Sequence, residues 1–88
     1  MVIGTGIDII EVERVKKAAA KPAFLKMVFT PAEQAYFERF NFEPQTIAGT
    51  FAAKEATAKA LSVGFRGTKW TDIEVLHDEN GKPYATLQ

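Results

Sequence analysis

The sequence predicts an α+β fold, a small antiparallel sheet with helices packed on one face, and three observations predict it. Residues Val2 to Ile10 are rich in Val, Ile and Thr and alternate in polarity, which is the two-residue period of a strand. Between Glu11 and Gly64 lie segments of helix-forming composition punctuated by Pro22, Pro31 and Pro44. Finally, Asp72 to His77 and Lys82 to Gln88 flank Asp78-Glu79-Asn80-Gly81, a strong hairpin signal. Strand, helices and a closing hairpin place the helices on one side of the sheet.

In the first strand, Ile3, Thr5, Ile7 and Ile9 point one way, and Gly4, Gly6, Asp8 and Ile10 the other. Glycine in a strand marks a bulge, tight packing against a helix, or a place where a ligand comes close. A glycine-lined face ending in the Asp8 carboxylate is therefore either a packing surface or a floor for a phosphate and its metal. A helix follows from Glu11 to about Ala20. Its acidic residues come first and Arg14, Lys16, Lys17 and Lys21 follow. That order suits the helix dipole, and it equally makes a docking face for an acidic partner. Lys21-Pro22 breaks this helix. Phe24 to Phe29 is a short apolar segment, after which Thr30-Pro31-Ala32-Glu33 carries a capping box with proline at the first helical position. That helix runs to about Phe40 with Tyr36, Phe37 and Phe40 as core aromatics, and 41–43 is a short connection.

The longest helix spans Pro44 to about Gly64, centred on Phe51-Ala52-Ala53-Lys54-Glu55-Ala56-Thr57-Ala58-Lys59-Ala60-Leu61. Ile47, Phe51, Ala58 and Leu61 form its apolar stripe, and Glu55 lies within roughly 40° of Phe51. A carboxylate at the edge of an apolar stripe needs a partner or a cation. Lys59, at i+4, supplies the first possibility. The loop Phe65-Arg66-Gly67-Thr68-Lys69 matches no phosphate-loop motif. His77 reads as a surface residue of its strand.

The chain has 88 residues and no net charge, 47% apolar and 25% charged residues, and no cysteine. One domain over 1–88 is expected, with a thin core that buries about 60–65% of the unfolded surface. A neutral chain gives no electrostatic footprint for nucleic acid or an anionic membrane. Without Cys there is no disulfide framework and no thiolate site. The amino terminus lacks the pattern of a signal peptide, so an intracellular, cytoplasmic protein is expected.

Five pieces in order, Gly4-x-Gly6-Ile7-Asp8-Ile9-x-Glu11-Val12-x-Arg14-Val15, Phe29-Thr30-x-x-Glu33, Phe51-Ala52-Ala53-Lys54-Glu55-Ala56-x-x-Lys59-Ala60, Asp72-Ile73-Glu74-Val75 and Asn80-Gly81-Lys82-Pro83-Tyr84, resemble the holo-[acyl-carrier-protein] synthase family of small bacterial phosphopantetheinyl transferases. The resemblance covers essentially the whole chain. It implies transfer of the 4'-phosphopantetheine arm of coenzyme A to a serine of apo acyl carrier protein, in support of fatty acid biosynthesis. It implies Mg2+ held by Asp8 and Glu55. Lys59 is then expected to contact coenzyme A phosphate or stabilise the leaving group, and Lys54 to reach other phosphates. Glu55 or a metal-held water is expected to relay the serine proton. Arg14 is expected to meet the acidic carrier protein, and a homotrimer to place the site at a subunit junction.

Departures from the family pattern are Thr50, where the family often has Arg, and Ser62, where it usually has Gly; Ser62 and Gly64 fall in the expected coenzyme A region. Family members also continue past the Gly-Lys-Pro strand with two more strands and a Ser-x-Ser-His-type motif, so a C-terminally truncated form is expected. The alternative function is an inactive fragment that only docks an acidic carrier protein or self-associates.

Overall fold

The structure, a computed structural model, describes residues 9–61 and 69–88. Within them the order is α1 (Ile9–Ala19), α2 (Pro22–Val28), α3 (Pro31–Arg39), α4 (Pro44–Leu61), a 3-10 turn (Trp70–Asp72), β1 (Ile73–His77) and β2 (Pro83–Leu87). Among the described residues the sheet is the β1–β2 antiparallel hairpin. The α+β expectation holds.

Most of the strand expected over Val2 to Ile10 lies outside the described residues. At its end the structure corrects it, because Ile9 and Ile10 begin α1. Intrinsic preference separates helix from strand at isoleucine by less than about 1 kcal/mol, so tertiary packing decides. Pro22 ends one helix and also starts another. Lys21 is extended (φ −99°, ψ 118°), as a residue before proline prefers, and Pro22 sits at the first position of α2. The apolar segment expected at 24–29 is thus mostly helical.

In α3 the capping box forms as the sequence predicts. Glu33 N donates to Thr30 Oγ1 (3.2 Å) and Thr30 N donates to Glu33 Oε1 (2.8 Å). The Thr30 hydroxyl also donates to Glu74 Oε2 at 2.6 Å, tying the cap to β1. Thr30→Ala is expected to destabilise the fold by about 1–2 kcal/mol through loss of the cap, read as a lower urea midpoint. A midpoint unchanged from the parent would mean that the cap contributes nothing. Asn41 and Phe42 turn the chain out of α3 at φ of 56° and 53°, and Phe42 N closes back on Phe37 O at 2.8 Å.

The core gathers Val15 from α1, Val28 and Phe29, Phe37 from α3, and Ile47 and Ala48 from α4. Phe29 meets Phe37 edge to face with centroids 4.8 Å apart, and Phe51 packs on Trp70 at 5.4 Å. The face that α4 buries differs from the expected stripe. Ile47, Ala48, Thr50, Ala53, Lys54 and Thr57 are buried, Phe51 and Ala58 are half-buried, and Leu61 is exposed. Small side chains at Ala48 and Ala53 let neighbours approach closely. The Thr50 and Thr57 hydroxyls donate to Thr46 O (3.2 Å) and Ala53 O (2.8 Å), which makes those polar groups compatible with burial.

In the hairpin, Val75 pairs with Ala85 and His77 with Pro83. Asn-Gly favours a type I′ turn, which needs positive φ at both central residues, but the turn is not of that type. Gly81 alone in the turn is left-handed (φ 80°), and Gly81 N donates to Asp78 O at 2.9 Å. Asp78 Oδ1 accepts from Asn80 N and Lys82 N, so its side chain organises the turn.

Candidate functional site

Helix α4 carries two of the expected site residues on its outward side. Glu55 is half-buried and Lys59, one turn later, is exposed. Successive residues of a helix diverge by about 100°, so residues four apart lie about 40° from each other. Both side chains therefore face the same way. Among the described residues no ion pair joins them. The surface pairing that would neutralise Glu55 is thus not made, and its oxygens stay available as hard donors. That donor chemistry fits a magnesium ion, which takes one or two carboxylates together with water and phosphate oxygens.

Lys54 points to another side of the helix, about 100° from Glu55. Its side chain is 0% exposed, and Nζ donates to Val28 O (2.6 Å) and Trp70 O (3.0 Å) and pairs with Glu33 Oε1 (2.6 Å). The ammonium also sits 5.4 Å from the centre of the Phe29 ring. Burial pushes the lysine below its ordinary range, opposed by its hydrogen bond to Glu33 and by the Glu33 and Glu74 charges. The expectation that Lys54 reaches a phosphate is corrected by this geometry, since an ammonium has three N–H groups and all have partners inside the protein. What sequence reasoning missed is a second role of Glu33. It serves as a cap and also as counter-ion to Lys54, and its second oxygen accepts from Val75 N at 2.7 Å.

Arg14 is exposed on α1 beside exposed Lys16 and Lys17, so the basic face is presented to solvent. Asp8, Ser62 and Gly64 lie outside the described residues, so whether Asp8 meets Glu55 is not part of this geometry. Thr50 is buried within α4. Among the described residues no three His, Cys, Asp or Glu side chains gather as a metal cluster.

His77 is less exposed than its place in the sequence predicts. It is half-buried, and its ring stacks on Tyr36 with centroids 3.9 Å apart and planes 5° apart. The pair lines a cavity of about 470 Å³ between α3 and the hairpin, with Arg39, Phe40 and Tyr84. Burial lowers the His77 pKa from its ordinary value, outweighing the Asp78 charge. A base whose folded pKa is depressed binds its proton more weakly folded than unfolded. Its stability contribution is therefore full above the unfolded pKa of 6.5 and is lost as pH falls towards the folded value. The thermal midpoint is expected to drop between pH 7.5 and pH 5.5, and His77→Phe, which keeps the stack, is expected to shrink that drop. An equal drop in both proteins would remove His77 as its source.

Comparison with known proteins adds the remaining observations. The family model described as the 4'-phosphopantetheinyl transferase superfamily matches residues 4–88. The chain is 54% identical over 89 residues to the holo-[acyl-carrier-protein] synthase of Clostridium tetani (strain Massachusetts / E88), covering 100% of this chain and 71% of that protein. It is 54% identical over 88 residues to the protein of the same name from Alkaliphilus oremlandii (strain OhILAs), covering 99% and 72%. The Clostridium botulinum (strain Eklund 17B / Type B) protein of that name is 52% identical, again with 99% and 72% covered. No solved structure matches.

Proposed function

Because the chain belongs to the 4'-phosphopantetheinyl transferase superfamily, we propose that it acts as a holo-[acyl-carrier-protein] synthase. The serine hydroxyl oxygen of apo acyl carrier protein attacks the phosphorus bonded to the pantetheine arm of coenzyme A. The bond from that phosphorus to the bridging oxygen breaks, adenosine 3',5'-bisphosphate leaves, and the serine proton passes to a base. The observation that carries this reading is identity of 54% along the full chain to proteins of that name.

Within this proposal Asp8 and Glu55 hold Mg2+, which when bound neutralises charge developing on the diphosphate. Lys59, exposed one turn from Glu55, reaches the phosphates of coenzyme A or the departing bisphosphate. Glu55 or a metal-held water takes the serine proton. Ser62 and Gly64 line the coenzyme. Arg14, with Lys16 and Lys17, docks the acidic carrier protein. A homotrimer working in the cytoplasm completes the proposal; among the described residues no helix is long and apolar enough to cross a membrane.

The test is the intact mass of apo acyl carrier protein after incubation with this chain, coenzyme A and magnesium, with and without chelator. A chelator-sensitive gain of one phosphopantetheine is the expected result. The exposed basic side of α1 favours one second reading, a module that docks the carrier without modifying it. No mass gain, together with carrier binding that weakens with salt and with Arg14→Glu, would replace the enzyme by that module.

A further inference from the structure

The buried ammonium of Lys54 directly precedes Glu55 in the chain, and the transfer proposed above makes no chemical use of it. Its acceptors come from separate parts of the fold: Val28 O at the end of α2, Glu33 Oε1 in the first turn of α3, and Trp70 O in the 3-10 turn. Glu33 passes the connection on, accepting from Thr30 N at the cap and from Val75 N in β1. Thus a single ion pair in the interior fastens α4 to every described element that follows α1 except β2.

An apolar contact at this position would hold α4 against its neighbours without fixing its rotation, because hydrophobic attraction has no direction. Hydrogen bonds of 2.6–3.0 Å, being directional, do fix it. With Lys54 pointing inward, Glu55 lies about 100° round the helix and Lys59 about 140°. A small rotation of α4 would sweep both side chains together, drawing Glu55 towards the core or swinging it away.

We propose that Lys54 is a positioning residue for the reaction: its ion pair with Glu33 sets the rotation of α4 and so aims Glu55 and Lys59 at the reacting phosphate. This rests on the transferase reading, and the experiment separates the two. Transfer is measured for the parent chain, for Lys54→Arg and for Lys54→Met, with every rate normalised to the folded fraction read from a urea transition at the assay temperature. Arginine keeps the charge and can still reach Glu33, so a folded population remains for measurement even where Lys54→Met has none; its planar fork cannot serve the same acceptors in the same directions.

For folded Lys54→Arg, kcat is expected to fall about ten- to a hundredfold, the effect of a displacement near 1 Å, with the KM for coenzyme A within threefold of the parent. Lys54→Met, where folded, is expected to fall at least as far. Parental kcat in folded Lys54→Arg would overturn the inference while leaving the transferase reading intact. A parent chain that transfers nothing would overturn both.

Discussion

Lys54→Ala and Glu33→Ala are each expected to destabilise the fold by about 3–5 kcal/mol, because each strands a buried charge. Both side chains are 0% exposed and 2.6 Å apart. Removing Lys54 leaves the Glu33 carboxylate in the interior with backbone donors only, and takes the charged donor from Val28 O and from Trp70 O, which keeps the Ile73 amide. Removing Glu33 leaves an ammonium among carbonyls and the Phe29 ring, and frees the amides of Thr30 and Val75. A domain of this size has a total stability near 5–10 kcal/mol, so either loss approaches the whole. Because the two residues share one network, the double variant is expected to lose less than the sum of the singles. Urea transitions of the four proteins check this. Single variants within 1 kcal/mol of the parent would show that the pair is dispensable.

Glu55→Gln is expected to have the opposite profile. Its side chain is half-buried on the outward side of α4 and bonded to no described residue. Loss of the negative charge is therefore expected to leave stability within about 0.5 kcal/mol of the parent. Phosphopantetheine transfer is expected to fall about 10²–10³-fold, the range for removing a group aimed at charge that develops during reaction. Rates of mass gain on apo acyl carrier protein, measured beside urea midpoints, check both halves. Transfer within fivefold of the parent would remove Glu55 from the reacting centre. Of two adjacent positions in one helix, Glu55 is thus predicted to affect activity without stability, whereas Lys54 affects both.

Much of this was legible in the sequence, for reasons that differ by element. The α3 start was readable to the residue, because Thr30, Pro31 and Glu33 each answer a local hydrogen-bonding need of a helix terminus. The hairpin was readable too, but its turn type was not, since the Asp78 carboxylate captures two backbone amides and changes which residue becomes left-handed. The orientation of α4 was misread by weighting apolar residues alone. Lys54 lies seven residues after Ile47, only about 20° away on a helical projection, and belongs to the buried side. Its counter-ion is 21 positions earlier in another helix, and no local rule links the two. The second task of Glu33, beyond its cap, was hidden for the same reason. For the site, the motif placed Glu55 and Lys59 on one face of a helix, whereas its juxtaposition with Asp8 depends on residues beyond those described.

The Val75 amide has one more consequence. It points away from β2, on the side of β1 that pairs with no other described strand, and a strand edge of that kind invites another chain to add itself by backbone hydrogen bonds. Glu33 Oε2 occupies that amide at 2.7 Å, placing a negative charge where an incoming strand would need to present a carbonyl. The carboxylate that neutralises an internal lysine is also a gatekeeper against self-templated aggregation. Proteins that have lost it are accordingly more prone to assemble into fibres through β1 than equally unstable proteins that have lost Lys54.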